Sequence, residues 1–241
     1  MNLGSTLGVA LVLGLVGLAI LTALWPTERS AHKLLAKWGI DDPAQDETDI
    51  AMQYLRRRRF WYPWLFLALP TPLAAIGFGD DNTLGVIGAT LVLGGLLAEL
   101  FAQRPAMQTR REATLEHRGV RDFAPMWTLI VTAVAEIAAL TYVVVRADWP
   151  ALAVAAGAAV ASWLIMALAV RRPVQGTRRV DLALRHRSAR VALGLGIGTV
   201  AAMCWQVNAF PEFVGFVVSI AAMIAIASPP RRLPAIAARA G

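Results

Sequence analysis

Positive charge in this chain falls in every second gap between apolar runs. Seven runs can be drawn: Leu3–Trp25, Trp61–Gly77, Thr83–Ala102, Pro125–Val145, Ala151–Val170, Val191–Val207 and Phe213–Ser228. Of the 23 Lys and Arg residues, 22 lie in Pro26–Phe60, Gln103–Ala124, Arg171–Arg190 and the segment after Ser228. The remaining one, Arg146, sits in the link Arg146–Pro150, and Phe78–Asn82 and Asn208–Glu212 hold none. This is the positive-inside pattern of a chain that crosses a membrane repeatedly. It predicts an all-α, polytopic membrane helix bundle of about seven transmembrane helices, one integral domain over residues 1–241. Basic residues follow the first run and none precede it. The N-terminus is therefore expected outside and, with seven spans, the C-terminus inside.

About 20 helical residues cross a bilayer core, with about 17 as the short limit. The second, sixth and seventh runs are marginal by that measure, so six spans is the alternative. With 57% hydrophobic and 16% charged residues, an ordinary soluble domain is excluded. The net charge of +7 does not point to nucleic acid, because the basic residues crowd beside spans. There, anionic headgroups attract each of them by about 1 kcal/mol. The single cysteine, Cys204, rules out an internal disulfide. The first run is not expected to be a cleaved signal peptide: Trp-Pro-Thr-Glu follows it in place of a small-residue cleavage site.

Two basic loops repeat. Arg104, Pro105, Thr109, Arg110 and Arg111 match Arg172, Pro173, Thr177, Arg178 and Arg179 at an offset of 68 residues. After one inserted residue, Leu115, His117, Arg118 and Arg121 match Leu184, His186, Arg187 and Arg190. Each copy joins an incoming span to an outgoing one, which predicts parallel two-helix hairpin repeats. Within each loop Pro breaks the incoming helix and Thr109 or Thr177 can cap a short new one. Asp181 and Arg185 stand four apart in the favourable order. Residues 26–60 form the longest loop, expected to be cytoplasmic. Thr27 is placed to cap a helix with Ala31, Leu34, Leu35 and Trp38 on one face, stopped at Gly39. A second helix is predicted from Asp46 to the Arg56–Arg59 run, with charges that suit its dipole. This loop reads as a helical hairpin on the inner leaflet or as a surface for a partner. Arg56, Arg57, Arg58 and Arg59 here, with Arg178 and Arg179 of the Arg171–Arg190 loop, are the candidate lipid-facing or partner-facing cations.

Four residues stand out inside the apolar runs. Glu136 lies mid-span, where an ionised carboxylate costs about 2.5–3.5 kcal/mol. It is either a proton or cation relay, or a structural hydrogen-bonding group reaching Thr132, Ser162 or Thr199. Glu99 lies one turn from the inner end of its span and is expected to pair with Arg104 or the interface. Pro70 and Pro72 each remove a backbone donor, so the second span should kink or break there; broken spans form binding sites in some transporters. Gly194/Gly198 and Gly4/Gly8 are spaced for close helix approach. His32, His117 and His186 all fall in basic loops and are expected to snorkel at the interface. No metal or cofactor site is expected. The chain has no phosphate-cradling Gly-Lys-Ser/Thr loop, no His-Glu-x-x-His and no Gly-x-Ser-x-Gly elbow, so an enzyme is unsupported.

Leu35-Ala-Lys-Trp-Gly-Ile40, followed by acidic residues and Tyr54-Leu-Arg-Arg-Arg-Arg-Phe-Trp-Tyr-Pro63, resembles uncharacterised multi-pass membrane proteins of high-GC actinobacteria. Arg178-Arg-Val-Asp-Leu-Ala-Leu-Arg-His-Arg-Ser-Ala-Arg190 resembles a second block of that group. The resemblance implies a bacterial cytoplasmic-membrane location and carries no activity. The functional expectation is a non-enzymatic, partner-binding or accessory membrane subunit, with anionic lipid and a cytosolic or membrane protein as partners. The alternative is a small transporter using Glu136 and the kinked second span.

Overall fold

An apolar segment removed from water can satisfy its own backbone groups as a helix, and the computed structural model is predominantly helical among the residues it describes. It describes residues 3–78, 83–103, 119–120, 123–171, 177–203 and 210–229. Among these residues are nine α-helices and no strand: α1 (Leu3–Ala23), α2 (Glu28–Lys37), α3 (Gln45–Ala68), α4 (Pro70–Ala75), α5 (Thr83–Ala102), α6 (Met126–Val145), α7 (Trp149–Arg171), α8 (Arg178–Met203) and α9 (Phe210–Ala227). Five of them, α1, α5, α6, α7 and α9, are long and apolar enough to cross a membrane. α3 and α8 are not among the five, because each opens with a strongly charged half.

Those two helices correct the sequence expectation. The basic run Arg56–Arg59 does not end a helix; α3 continues through it to Ala68, with Pro63 inside. The Thr177-capped segment is not a short separate helix either, since α8 runs from Arg178 to Met203 without a break. Arginine is a good helix former, and neither run contains a glycine or proline to stop the chain. At Leu69 the backbone stays helical (φ −68°, ψ −35°), so Pro70 and Pro72 interrupt the hydrogen-bond ladder between α3 and α4 at that point. The first repeat copy, with Arg104 and His117, lies mostly outside the described residues.

Close approaches fix the helix directions. A Cβ at Gly17 would lie 2.7 Å from Pro63 Cα, and one at Gly14 would lie 3.1 Å from Leu67 Cδ1, so α1 and α3 are antiparallel. Gly94 faces Phe66 while Glu99 meets Arg58, which makes α3 and α5 antiparallel. Gly95 faces Leu195 while Glu99 meets Ser188, and the same holds for α5 and α8. Glu136 pairs with Ser162, whereas Val143 packs with Ala151 and Val154. Arg185 reaches Ala169, and Arg190 reaches Ile226. One end of the bundle therefore collects the C-termini of α1, α5, α7 and α9 and the N-termini of α3, α6 and α8.

α8 is the centre. It packs against α3, α5, α6, α7 and α9, and Val180, Arg185, Ser188, Ala189, Ala192, Leu193 and Ile197 are fully buried. Gly194 and Gly198 form its seam with α9: a Cβ at Gly194 would stand 2.9 Å from Met223 O, and one at Gly198 2.9 Å from Met223 Sδ. Gly8 on α1, by contrast, faces open space.

Residues 26–60 fold onto the charged end. Thr27 caps α2 in a reciprocal pair with Ser30. Gly39 adopts φ 83° and ends the helix, with Ile40 N donating to Leu35 O. The α2 face of Ala31, Leu35 and Trp38 packs with Ala51, Tyr54 and Leu55 of α3, Ala102 of α5 and Val180, Ala183 and Leu184 of α8. Glu47 closes the layer. Its Oε2 accepts from Ala44 N and its Oε1 accepts from Thr177 Oγ1 at 2.7 Å, joining the start of α3 to the start of α8. Large exposed aromatics mark both ends of the apolar bundle: Trp25, Phe60, Trp64 and Trp127 at the charged end, Trp149, Phe210 and Phe213 at the other.

Candidate functional site

The helices bring the carboxylates of α5 and α6 to different places. Glu99, on the last turn of α5, is fully buried. α3 and α8 cross α5 there with their charged halves, so long cationic side chains reach the carboxylate from both sides. Arg58 Nε lies 2.9 Å from Glu99 Oε2, and Arg187 Nη1 lies 3.9 Å from the same oxygen. Tyr54 and Ser188 both donate their hydroxyls to Oε1, and Arg187 donates to the Tyr54 hydroxyl. Arg187 also covers the Tyr54 ring, and Arg58 covers that of Tyr62. Burial pushes the Tyr54 phenol up to about 12, against the pull of Arg187, so it stays a neutral donor.

The expected structural pairing of Glu99 is therefore present, but with partners the sequence reading did not name. Arg104 lies outside the described residues. Arg58, expected to face lipid or a partner, pairs inward with Glu99 and keeps 18% of its side-chain surface exposed. Its i−4 neighbour Tyr54 and i+4 neighbour Tyr62 lie on the same stripe, and extending α3 past Phe60 would have revealed that register. Arg56, Arg178 and Arg179 remain exposed, while Arg57 and Arg59 are half-buried.

Glu136 occupies the middle of α6 and is buried. Ser162 Oγ donates to its Oε1 at 2.9 Å, and Trp163 Nε1 donates to its Oε2 at 2.6 Å. Both donors come from one turn of α7. α8 contributes a gap: a Cβ at Gly196 would fall 2.5 Å from Glu136 Oε1 and 3.1 Å from Ser162 Oγ. Of the three partners expected, only Ser162 serves. Thr132 Oγ1 is buried without a partner, and Thr199 turns to its own helix at Leu195 O. Trp163 was missed because an indole on an apolar helix reads as packing.

Pro70 and Pro72 are not brought to Glu136. α4 packs on α1, α3 and α5, whereas α6 packs on α7 and α8.

α8 carries three further basic groups inward. Arg185 pairs with Asp181 at 2.7 Å, both buried, and donates to Ala169 O near the end of α7. Arg190 donates to Ile226 O and Ala225 O at the end of α9, where a cation suits the helix dipole. His186 was expected at the interface; it is buried, with Nδ1 3.2 Å from Phe123 O. His32 lies 3.1 Å from Thr48 Oγ1. At the opposite end, Arg146, Tyr142 and Glu212 link α6 to α9. Among the described residues, no three His, Cys, Asp or Glu side chains group to hold a metal. Comparison with protein-family models, curated proteins and solved structures returns no match to this chain.

Proposed function

We propose that the chain is a seven-span protein of a bacterial cytoplasmic membrane, N-terminus outside and C-terminus inside, that acts by binding a partner and not by turnover. The observation that carries this reading is the state of the two carboxylates. Each is held by protein donors on separate elements, as structural groups are. The folded α2–α3 layer supplies a large charged surface at one end, while the opposite end has only short links. Counting the apolar halves of α3 and α8 as spans gives the count of seven. The alternating helix directions and the two exposed aromatic belts support it. The 20 residues of α6 rise about 30 Å, one hydrocarbon core.

A reporter fused after Gly241 is expected to read cytoplasmic, and one within Phe78–Asn82 external; the reverse would overturn the orientation. Affinity purification in mild detergent is expected to recover one protein at constant ratio to the chain, bound through the α2–α3 layer. A chain recovered alone, with proton or cation flux that depends on Glu136 in vesicles, would establish the transporter instead.

A further inference from the structure

The Glu99 cluster holds more positive charge than it neutralises. Arg58 and Arg187 share the single carboxylate of Glu99. Arg59, next along α3, is half-buried and has no carboxylate partner among the described residues. Burial pulls its pKa below the ordinary value against the opposing effect of Tyr62, and the guanidiniums of Arg58 and Arg187 add to the lowering. Two guanidiniums thus share one carboxylate with a third beside them, and among the described residues two of the three charges are left over. The excess is not sealed in: the Arg58 and Arg187 side chains keep 18% and 11% of their surface exposed, against 0% for Glu99. Directly after Arg59 on α3 stands the exposed ring of Phe60, with that of Trp64 one turn beyond it, residues that favour headgroup depth.

We propose that Arg58, Arg59 and Arg187 form a binding site for the phosphate of an anionic glycerophospholipid at the charged end of the bundle. Guanidiniums match phosphate oxygens in paired, charge-assisted hydrogen bonds. Glu99 occupies the inward side of Arg58 and Arg187 and holds them in place, so their outer N–H groups and Arg59 are left for the lipid. The acyl chains would descend along the apolar surface of α3 beside Phe60 and Trp64. This goes beyond general attraction of the inner face to anionic lipid, because it assigns one site.

The proposal rests on the membrane placement above, and the test separates the two. The full chain is reconstituted in nanodiscs of phosphatidylcholine with a minor fraction of phosphatidylglycerol, and retained lipid is read by native mass spectrometry. Phosphatidylglycerol is expected to be retained in preference to phosphatidylcholine. Arg59→Gln should weaken that retention about tenfold, as loss of one charge-assisted contact implies, while the exposed Arg178→Gln should not. Equal retention of the two lipids by the unaltered chain, or equal effects of the two substitutions, would overturn the site. Displacement of the lipid by inorganic phosphate at similar concentration would overturn its lipid identity. If Arg59→Gln does not fold, the lipid preference of the unaltered chain and of Arg59→Lys decides; Lys keeps the charge without the planar fork and should retain part of it. A chain stripped from membranes by alkaline carbonate would overturn the membrane placement itself.

Discussion

Glu99 and Glu136 lie on apolar helices of the same bundle and are stabilised by opposite means. Glu99 is one turn from the end of α5 and is held by two arginines and two hydroxyls. Glu136, ten residues into α6, is held by one hydroxyl and one indole. The difference is one of reach. An arginine can deliver charge to the edge of an apolar bundle while its backbone stays in the charged layer, as Arg58 and Arg187 do. At mid-bundle a cation would need its own desolvation repaid, so short neutral donors on a neighbouring helix serve. Glu99 therefore belongs to a charge network that locks three helices, and Glu136 to a local joint between two, with Gly196 of a third making room.

Breaking the Glu99 side should have the largest effect. Glu99→Leu leaves Arg58 and Arg187 partly buried without their carboxylate, and removing one partner of a buried pair costs about 3–5 kcal/mol. Glu99→Gln should cost nearly as much, since a neutral amide does not balance the guanidiniums. Reversible unfolding in detergent measures both. A loss under about 1 kcal/mol would mean that water screens the cluster as it does a surface pair.

The joint at Glu136 is more sensitive to shape than to charge. Gly196→Ala places a methyl 2.5 Å from Glu136 Oε1, and overpacking of this kind costs about 1–3 kcal/mol. In the background of Glu136→Ala the same substitution should cost much less, because the clashing atom is gone. The two should thus be strongly non-additive in a double-mutant cycle. Additive losses would show that Gly196 accommodates Ser162 and not the carboxylate.

Much of the frame is visible in the residues themselves. Runs such as Pro125–Val145 and Ala151–Val170 became α6 and α7 nearly end to end, because uniform hydrophobicity determines a membrane-compatible helix with little help from context. Thr27 and Gly39 marked both ends of α2, since a cap and a left-handed glycine act locally. What escaped was the inward half of the positive charge. Arg58, Arg187 and Arg190 carry the same side chain as the exposed Arg56 and Arg178, and their role depends on which face of a long helix they occupy. That face was obscured by ending α3 at Arg59 and dividing α8 near Arg190. Once α8 is taken as one helix, Asp181, Arg185, Ser188 and Ala192 fall on one stripe at i, i+4, i+7 and i+11. Tertiary partners such as Trp163 and Gly196 have no local signature.

A smaller effect tests the neutral donors of the Glu99 network. Tyr54→Phe removes one hydroxyl and should cost about 1 kcal/mol at neutral pH. The loss should depend on pH. The folded phenol titrates at about 12 instead of the ordinary 10, so its contribution is fully present below pH 10 and is lost as pH rises toward 12. Unfolding curves of the two proteins should therefore converge in that window, while a constant gap would mean that burial does not hold the phenol neutral.

The smallest expected effect, that of Glu136→Gln, separates joint from relay. Glutamine keeps a carbonyl oxygen that can accept from Ser162 or Trp163, and its volume is nearly that of glutamate. One of the two acceptor sites is lost, and hydrogen bonds between membrane helices average about 0.6 kcal/mol in double-mutant cycles. The change in stability should be of that order, with partner binding unaltered. Glu136→Leu removes both acceptors and should cost roughly twice as much, leaving the Ser162 hydroxyl to its own helix at Ala159 O. A relay would behave in the opposite way. Glu136→Gln would keep its stability and abolish proton-coupled or cation-coupled flux in vesicles, because an amide cannot give up and regain a proton at physiological pH. Ser162 and Trp163 both donate to Glu136, and the gap at Gly196 is filled by its oxygen, so the structural outcome is the one expected.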